Sequence, residues 1–334
     1  MKPARIMLWI GLMLLALAII STGAWCVLAI WYRLPGGVTL RNVTCGLAIA
    51  LIIAANILIW TQLRWPAIGG YAILFGVVCI WWSTITPSGH RNWMPDVARN
   101  VTGSIDGDQL AVQNVRNFNW RSDTDFDQKW EARSYRLSDV SNVDLIMSYW
   151  SGKAIAHTIV SFGFKNGQRL DFSIETRKAQ GQSYSTIAGF FKEYTLIIIA
   201  ADERDVVRVR SNIRGEDVRI YRLRMQPAEA RSLLVAYIAE ANALALRPRF
   251  YNTATANCTT LVYELVEKIH PGLHWDPRIL ISGYLPEYVY SLGALDTRIP
   301  FDQLRARSKL HDKALRAGDD PNFSNDIRVG IPTP

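Results

Sequence analysis

The chain has 334 residues and a formal net charge of +8 at neutral pH, with 49% apolar residues. The charge is unevenly placed: no acidic residue precedes Asp96, and residues 1–88 carry only Lys2, Arg5, Arg33, Arg41 and Arg64, so the polar remainder has a net charge of only about +3. There is no basic run, no zinc-ligand spacing and no glycine-rich phosphate loop, which argues against nucleic-acid and nucleotide partners and implies neither metal nor cofactor.

Ile6 to Tyr32 is an almost unbroken apolar run, long enough to cross a bilayer. Arg33-Leu34-Pro35-Gly36-Gly37 turns the chain, a second run goes from Val43 to about Leu63, and after Arg64-Trp65-Pro66 a third goes from Ile68 to Ile85. A signal peptide has a shorter apolar core and is not followed by two further runs. Tryptophans sit near the expected ends, where indoles favour the headgroup layer. Lys2, Arg5 and the amino terminus favour a cytoplasmic start, which also makes Arg64 cytoplasmic, while Arg33 and Arg41 compete. That orientation puts residues 89–334 on the periplasmic face of a bacterial inner membrane as a multi-pass protein, with residues 1–88 as a three-helix anchor.

In the polar part, Val101 to Val112 reads as a strand pair around Asp106-Gly107, and Asn114 to Arg136 as an ordered aromatic loop. Val140 to Trp150 alternates like a strand. Lys153 to Phe164 and Arg169 to Arg177 form a hairpin about Asn166-Gly167. Tyr194 to Ala201 is an apolar strand or short helix, Val206 to Val209 a strand after a charged turn, and Val218 to Leu223 another. Pro227 opens a helix that ends before Pro248. From about Pro271 the chain reads as irregular packing. Strands followed by helices give an α+β domain.

Tyr251 to Val266 is the stretch that carries chemistry. Asn257 is a good N-cap, Leu261, Val262, Leu265, Val266 and Ile269 form a buried stripe, and Cys258 falls at the first helical position. There the helix dipole favours thiolate. The other cysteines, Cys26, Cys45 and Cys79, all lie in the apolar runs, so Cys258 has no disulfide partner in the polar part. A small buried hydrophobe would also suit Cys258, but a lone cysteine with a suitable histidine is a candidate nucleophile. Of His90, His157, His270, His274 and His311, only His157 sits inside an apolar strand that fixes its ring. Asp171, Ser173, Glu175 and Thr176 on the return strand are candidates for a third group. A two-residue turn at Asn166-Gly167 puts Thr176 opposite His157; Glu175, chemically the better partner for imidazolium, faces it only if the hairpin holds one extra residue.

The series Asn114-Val-Arg-Asn-Phe118, Ile155-Ala-His157-Thr, Ser161-Phe-Gly-Phe164, Ser173-Ile-Glu-Thr-Arg177, Ala201-Asp-Glu-Arg-Asp205 and Tyr251-Asn252…Asn257-Cys258-Thr-Thr260 resembles the Lnb N-terminal periplasmic domain family, over roughly Trp93 to Asp296. The chain departs from that pattern in having three spans ahead of the domain. The resemblance implies a permuted papain-like (NlpC/P60-like) domain, an antiparallel sheet packed on a cysteine-bearing helix. It also implies a lipoprotein N-acyltransferase, with Cys258 as the acyl-accepting nucleophile and His157 as the base. Partners would be diacylglyceryl lipoproteins or phospholipids of the inner membrane. The same dyad would serve a cell-envelope peptidase or amidase, and an unreactive Cys258 would leave a lipid- or partner-binding module.

Overall fold

The computed structural model describes residues 3–334. It divides into two compact units. The first contains residues up to Ser88 together with Ser185–Glu193. Its helices α1 (Pro3–Arg33), α2 (Gly37–Leu58) and α3 (Arg64–Thr84) are each long and apolar enough to cross a membrane. Most of their large apolar side chains face outward, as lipid-facing helices require, while Ile19, Ile52, Ala55 and Ile59 pack between them.

The second unit, Gly89–Tyr184 with Tyr194–Pro334, is α+β. In chain order its strands are β1 (Thr102–Asp106), β2 (Gln109–Arg116), β3 (Asn119–Trp120), β4 (Phe126–Asp127), β5 (Trp130–Arg136), β6 (Val140–Ser151), β7 (Ile155–Phe164), β8 (Arg169–Arg177), β9 (Thr195–Ala201) and β10 (Asp217–Arg222). The main sheet runs β1-β2-β9-β8-β7-β6-β10, with β5 also paired to β2. All its pairs are antiparallel except the single parallel bridge of β2 to β9.

Both faces of the sheet are covered, which is why β7 and β9 are buried almost end to end and read as apolar runs rather than alternating ones. One face takes Leu145, Met147, Ala156 and Tyr221 against Leu285, Tyr288 and Leu304, and Phe162 and Phe172 against Tyr237 of helix α5 (Pro227–Leu246). The other takes Ile146, Ile159, Ile197, Ile199 and Ile220 against Val206, Val207, Leu310, Ala314 and Phe323.

Three expectations are corrected. Asn114 to Arg136 is not a loop. Asp205 organises it, accepting from Arg116 Nε (2.8 Å) and Nη2 (3.0 Å), Trp120 Nε1 (2.7 Å) and Phe118 N (2.9 Å), so β3, β4 and β5 form around a buried carboxylate supplied from far along the chain. Val206 to Val209 is not a strand. It belongs to a short helix α4 (Glu203–Val206), capped by Asp202, and the π-helical turn Val209–Ile213 that follows. The tail is not irregular. After α6 (Thr260–Ile269) come α7 (Leu285–Ser291), α8 (Phe301–Arg307), α9 (His311–Ala317) and α10 (Phe323–Asp326).

Candidate active site

The strand β7 alternates, so His157, Ile159 and Ser161 share one face; on β8 Asp171, Ser173 and Glu175 do the same. The hairpin between them decides which residues meet. Gly163 pairs with Arg169, Phe164 N donates to Gln168 O (3.0 Å), and Gly167 N donates to Phe164 O (2.9 Å). Gly167 has φ +85°, a left-handed conformation that glycine takes without strain. The connection is therefore three residues, Lys165 to Gly167, not two. The extra residue carries the register on from Ile159↔Ser173 to His157 opposite Glu175. Thr176 is accordingly on the other face, and the pairing of His157 with Thr176 is corrected.

His157 is 7% exposed. Its Nε2 lies 2.6 Å from Ser173 Oγ and 3.2 Å from Glu175 Oε1. That carboxylate oxygen also accepts from Ser173 Oγ (2.7 Å) and Arg210 Nη2 (2.8 Å). Arg210 projects from the π-helical turn and is nearly buried; its Nη1 lies 3.7 Å from Glu216 Oε2, and Glu216 in turn accepts from Ser148 Oγ. Arg210 and Glu216 were not legible as site residues in the sequence, because a π-turn has no periodicity that aims a side chain.

The thiol comes from the opposite direction. Tyr251 to Thr259 forms a tight polar turn, with Asn252 Oδ1 accepting from Ala254 N and Thr255 N. Asn257 Oδ1 accepts from Thr259 N (2.8 Å) and Thr260 N (2.9 Å), and Asn257 O accepts the first helical bond, from Leu261 N. Asn257 thus does the work of an N-cap, although α6 begins at Thr260, so Cys258 sits in the turn that enters the helix rather than at its first position. Cys258 is half-buried and lines the same cavity as His157; its Sγ lies 3.8 Å from Thr259 Oγ1.

The electrostatics of the group are coherent. Burial opposes ionisation of the Cys258 thiol, but the hydrogen bond and charge of His157, the Thr158 backbone N–H and the Thr259 hydroxyl together hold it below its ordinary value. For His157, burial and the Arg210 charge favour the neutral ring; the Glu175 carboxylate and the Cys258 thiol outweigh them and push it up to about 9. Glu175 is held well below the usual carboxylate range, because the charges of His157 and Arg210 outweigh its burial. These directions describe a thiolate beside an imidazolium, oriented by a carboxylate.

The group opens into a cavity of about 310 Å³ lined by Trp120, Trp150, Tyr184, Tyr251, Lys178 and Arg214 among others. Arg116 also lines it, though its guanidinium is committed to Asp205. Arg177 is buried on Val97 O and Ala98 O, Glu203 pairs with Arg328, and Arg121 and Arg204 lie elsewhere on exposed ion pairs. Of the five histidines only His157 lines the cavity. Among the described residues no group of three or more His, Cys, Asp or Glu side chains is arranged to hold a metal ion.

Compared with known proteins, residues 126–288 match the family model described as the Lnb N-terminal periplasmic domain. No curated protein and no solved structure matches the chain.

Proposed function

Given a chain that carries an Lnb N-terminal periplasmic domain behind three membrane-type helices, we propose that it is a membrane-anchored thiol acyltransferase of the bacterial inner membrane. It would move an acyl chain to the N-terminal amine of a lipidated lipoprotein. The observation that carries this reading is Cys258 on the same cavity as a raised-pKa His157 that Glu175 orients; three membrane-type helices support a tether where lipid donors and lipid-anchored acceptors would reside. A strand histidine with a cysteine at a helix entrance supports reading the group as a papain-like site in permuted order.

The Cys258 thiolate attacks the carbonyl carbon of an ester-linked acyl chain. The ester C–O bond breaks, and the departing alkoxide takes its proton from the His157 imidazolium. The acceptor amine then attacks the thioester carbonyl, His157 takes the amine proton, and the C–S bond breaks to return the thiolate. Thr259 N and Thr260 N already serve Asn257. The Cys258 N–H has no hydrogen-bond partner among the described residues, and it is the donor we assign to the oxyanion of both tetrahedral intermediates.

The test is the mass of a model lipoprotein's N-terminal peptide after incubation with membranes containing the wild-type protein or Cys258→Ala. An acyl group added to the amine only with the intact cysteine is the expected result. A Cys258-dependent truncated peptide would replace transfer with hydrolysis, and identical peptides with no thioester on Cys258 would sink both.

A further inference from the structure

The segment Ser185–Glu193, between β8 and β9, belongs to the same compact unit as the three apolar helices. Its own side chains show how. Phe191 is buried, stacks on Tyr32 at 5.6 Å between ring centroids and meets Trp82 edge-on at 6.3 Å. Lys192 Nζ donates to Trp82 O (2.8 Å) and Ile85 O (3.3 Å) and lies 4.8 Å from the Trp82 ring. Glu193 approaches Arg33 at 4.0 Å. Tyr32 and Arg33 close α1, and Trp82 lies in the last turn of α3. Aromatic and basic residues at the end of an apolar span mark the headgroup layer, so this segment is fastened at the level where that layer falls.

What it presents outward fits the same level. Ala188 and Gly189 are buried, whereas Ile187 is 55% and Phe190 45% exposed. From Ala179 to Phe191 no side chain carries a formal charge. We propose that residues 185–193 form a lipid-facing strap that seats Ile187 and Phe190 in the interfacial layer of the bilayer, with phospholipid as the partner. Apolar and aromatic side chains on the uncharged stretch that ends at Phe191 are what that layer takes up.

The neck of the strap gives the contact a use. Tyr184 and Tyr194 stack at 6.2 Å with 20° between planes, and Tyr194 Oη donates to Ser183 O (2.7 Å). Tyr184 is also a wall of the cavity that holds Cys258. The chain that touches lipid at its tip therefore continues directly into Tyr184 of the catalytic cavity, and lipid engagement by the strap is coupled to acyl transfer through that covalent link. This second step rests on the acyltransferase reading; the lipid contact does not.

The experiment places a photo-reactive benzoyl-phenylalanine at position 187 or 190 of the full-length protein in phosphatidylethanolamine and phosphatidylglycerol vesicles that carry a radiolabelled phospholipid. Position 329, where Val329 is 70% exposed in the sheet domain, is the control. Lipid adducts several-fold above the control support the strap. Adducts at the control level, or adducts to protein alone, overturn it. In the same vesicles Ile187→Asp with Phe190→Asp is expected to lower acyl transfer about tenfold while iodoacetamide alkylates Cys258 at the wild-type rate. Unchanged transfer would remove the coupling. Lipid adducts without any Cys258-dependent transfer would keep the strap and discard the acyltransferase.

Discussion

Glu175 faces His157 across the β7–β8 hairpin, and the oxygen it offers to Nε2 at 3.2 Å is the one that Arg210 Nη2 holds at 2.8 Å. The imidazole thus sits under two opposed charges, one raising its pKa and one lowering it. The activity attributed to a thiolate–imidazolium pair should be lost as pH rises through about 9. Glu175→Gln removes the raising charge, so the alkaline limb of the pH–rate profile should move below that value, with a fall in kcat on the order of 10²-fold or more. Arg210→Met removes the lowering charge, so the limb should move up. Opposite displacements in the two variants, read from kcat/KM against pH, are the expected outcome; parallel displacements would contradict the arrangement.

The same shift has a stability counterpart. His157 binds its proton more tightly folded than unfolded, so its contribution is fully present below its ordinary value of 6.5 and lost as pH rises through about 9. Chemical denaturation of the wild type against His157→Gln should show a stability difference that narrows over this window.

Cys258→Ala should cost at least about 10³-fold in transfer, because a nucleophile acting with its base as a unit leaves only residual binding effects when removed. Its thermal melting should stay close to that of the wild type, since the side chain is small and half-buried. Alkylation of the wild type by iodoacetamide below the ordinary thiol pKa, absent in the variant, checks the lowered value.

Arg328 joins two buried carboxylates. Its guanidinium reaches Asp144 Oδ2 (2.9 Å) and both Glu203 oxygens (2.6 and 2.5 Å), and both carboxylates are essentially inaccessible. Arg328→Ala should destabilise the domain by about 3–5 kcal/mol, the cost of leaving buried charge uncompensated. Asp144 keeps Arg169 and Arg222, so the larger part of the loss falls on Glu203. Urea denaturation measures it.

Asp171 points the other way. Burial and the nearby charge of Glu203 push its carboxyl well above the usual range. An acid that holds its proton when folded and gives it up when unfolded costs stability as pH rises above its ordinary value of 3.8. Asp171→Asn keeps the shape and removes that cost. The variant should be more stable than the wild type at neutral pH, with the difference shrinking toward pH 4 in the same denaturation experiment.

The three apolar helices, the main strands and α5 were legible because each has a period or a length that one face of a core or a bilayer imposes. Cys258 was legible as the lone cysteine of the polar part, behind the N-cap Asn257 at a helix entrance, and His157 as the histidine set inside an apolar strand. The third member hung on one residue of turn length: Asn166-Gly167 signals a hairpin equally well with two or three residues, and only the closed bond of Phe164 N to Gln168 O settles which face Glu175 takes. What stayed hidden depends on partners distant in the chain. Asp205 orders Phe118 and Trp120, and Arg210 enters from a π-turn; neither leaves a local pattern.

The pairings of Arg328 also set an order of events. Its partners Asp144 and Glu203 lie 184 and 125 residues earlier in the chain. A polypeptide that crosses the membrane from its N-terminal side delivers Arg169 and Arg222 to Asp144 early, but delivers Glu203 long before the guanidinium that pairs with it. Until then, water should stay around the Glu203 charge that the finished domain buries. The interior would dry only when α10 docks, so a chain cut anywhere before residue 328 should persist as a hydrated, protease-sensitive intermediate, with Cys258 already made but its scaffold unsealed.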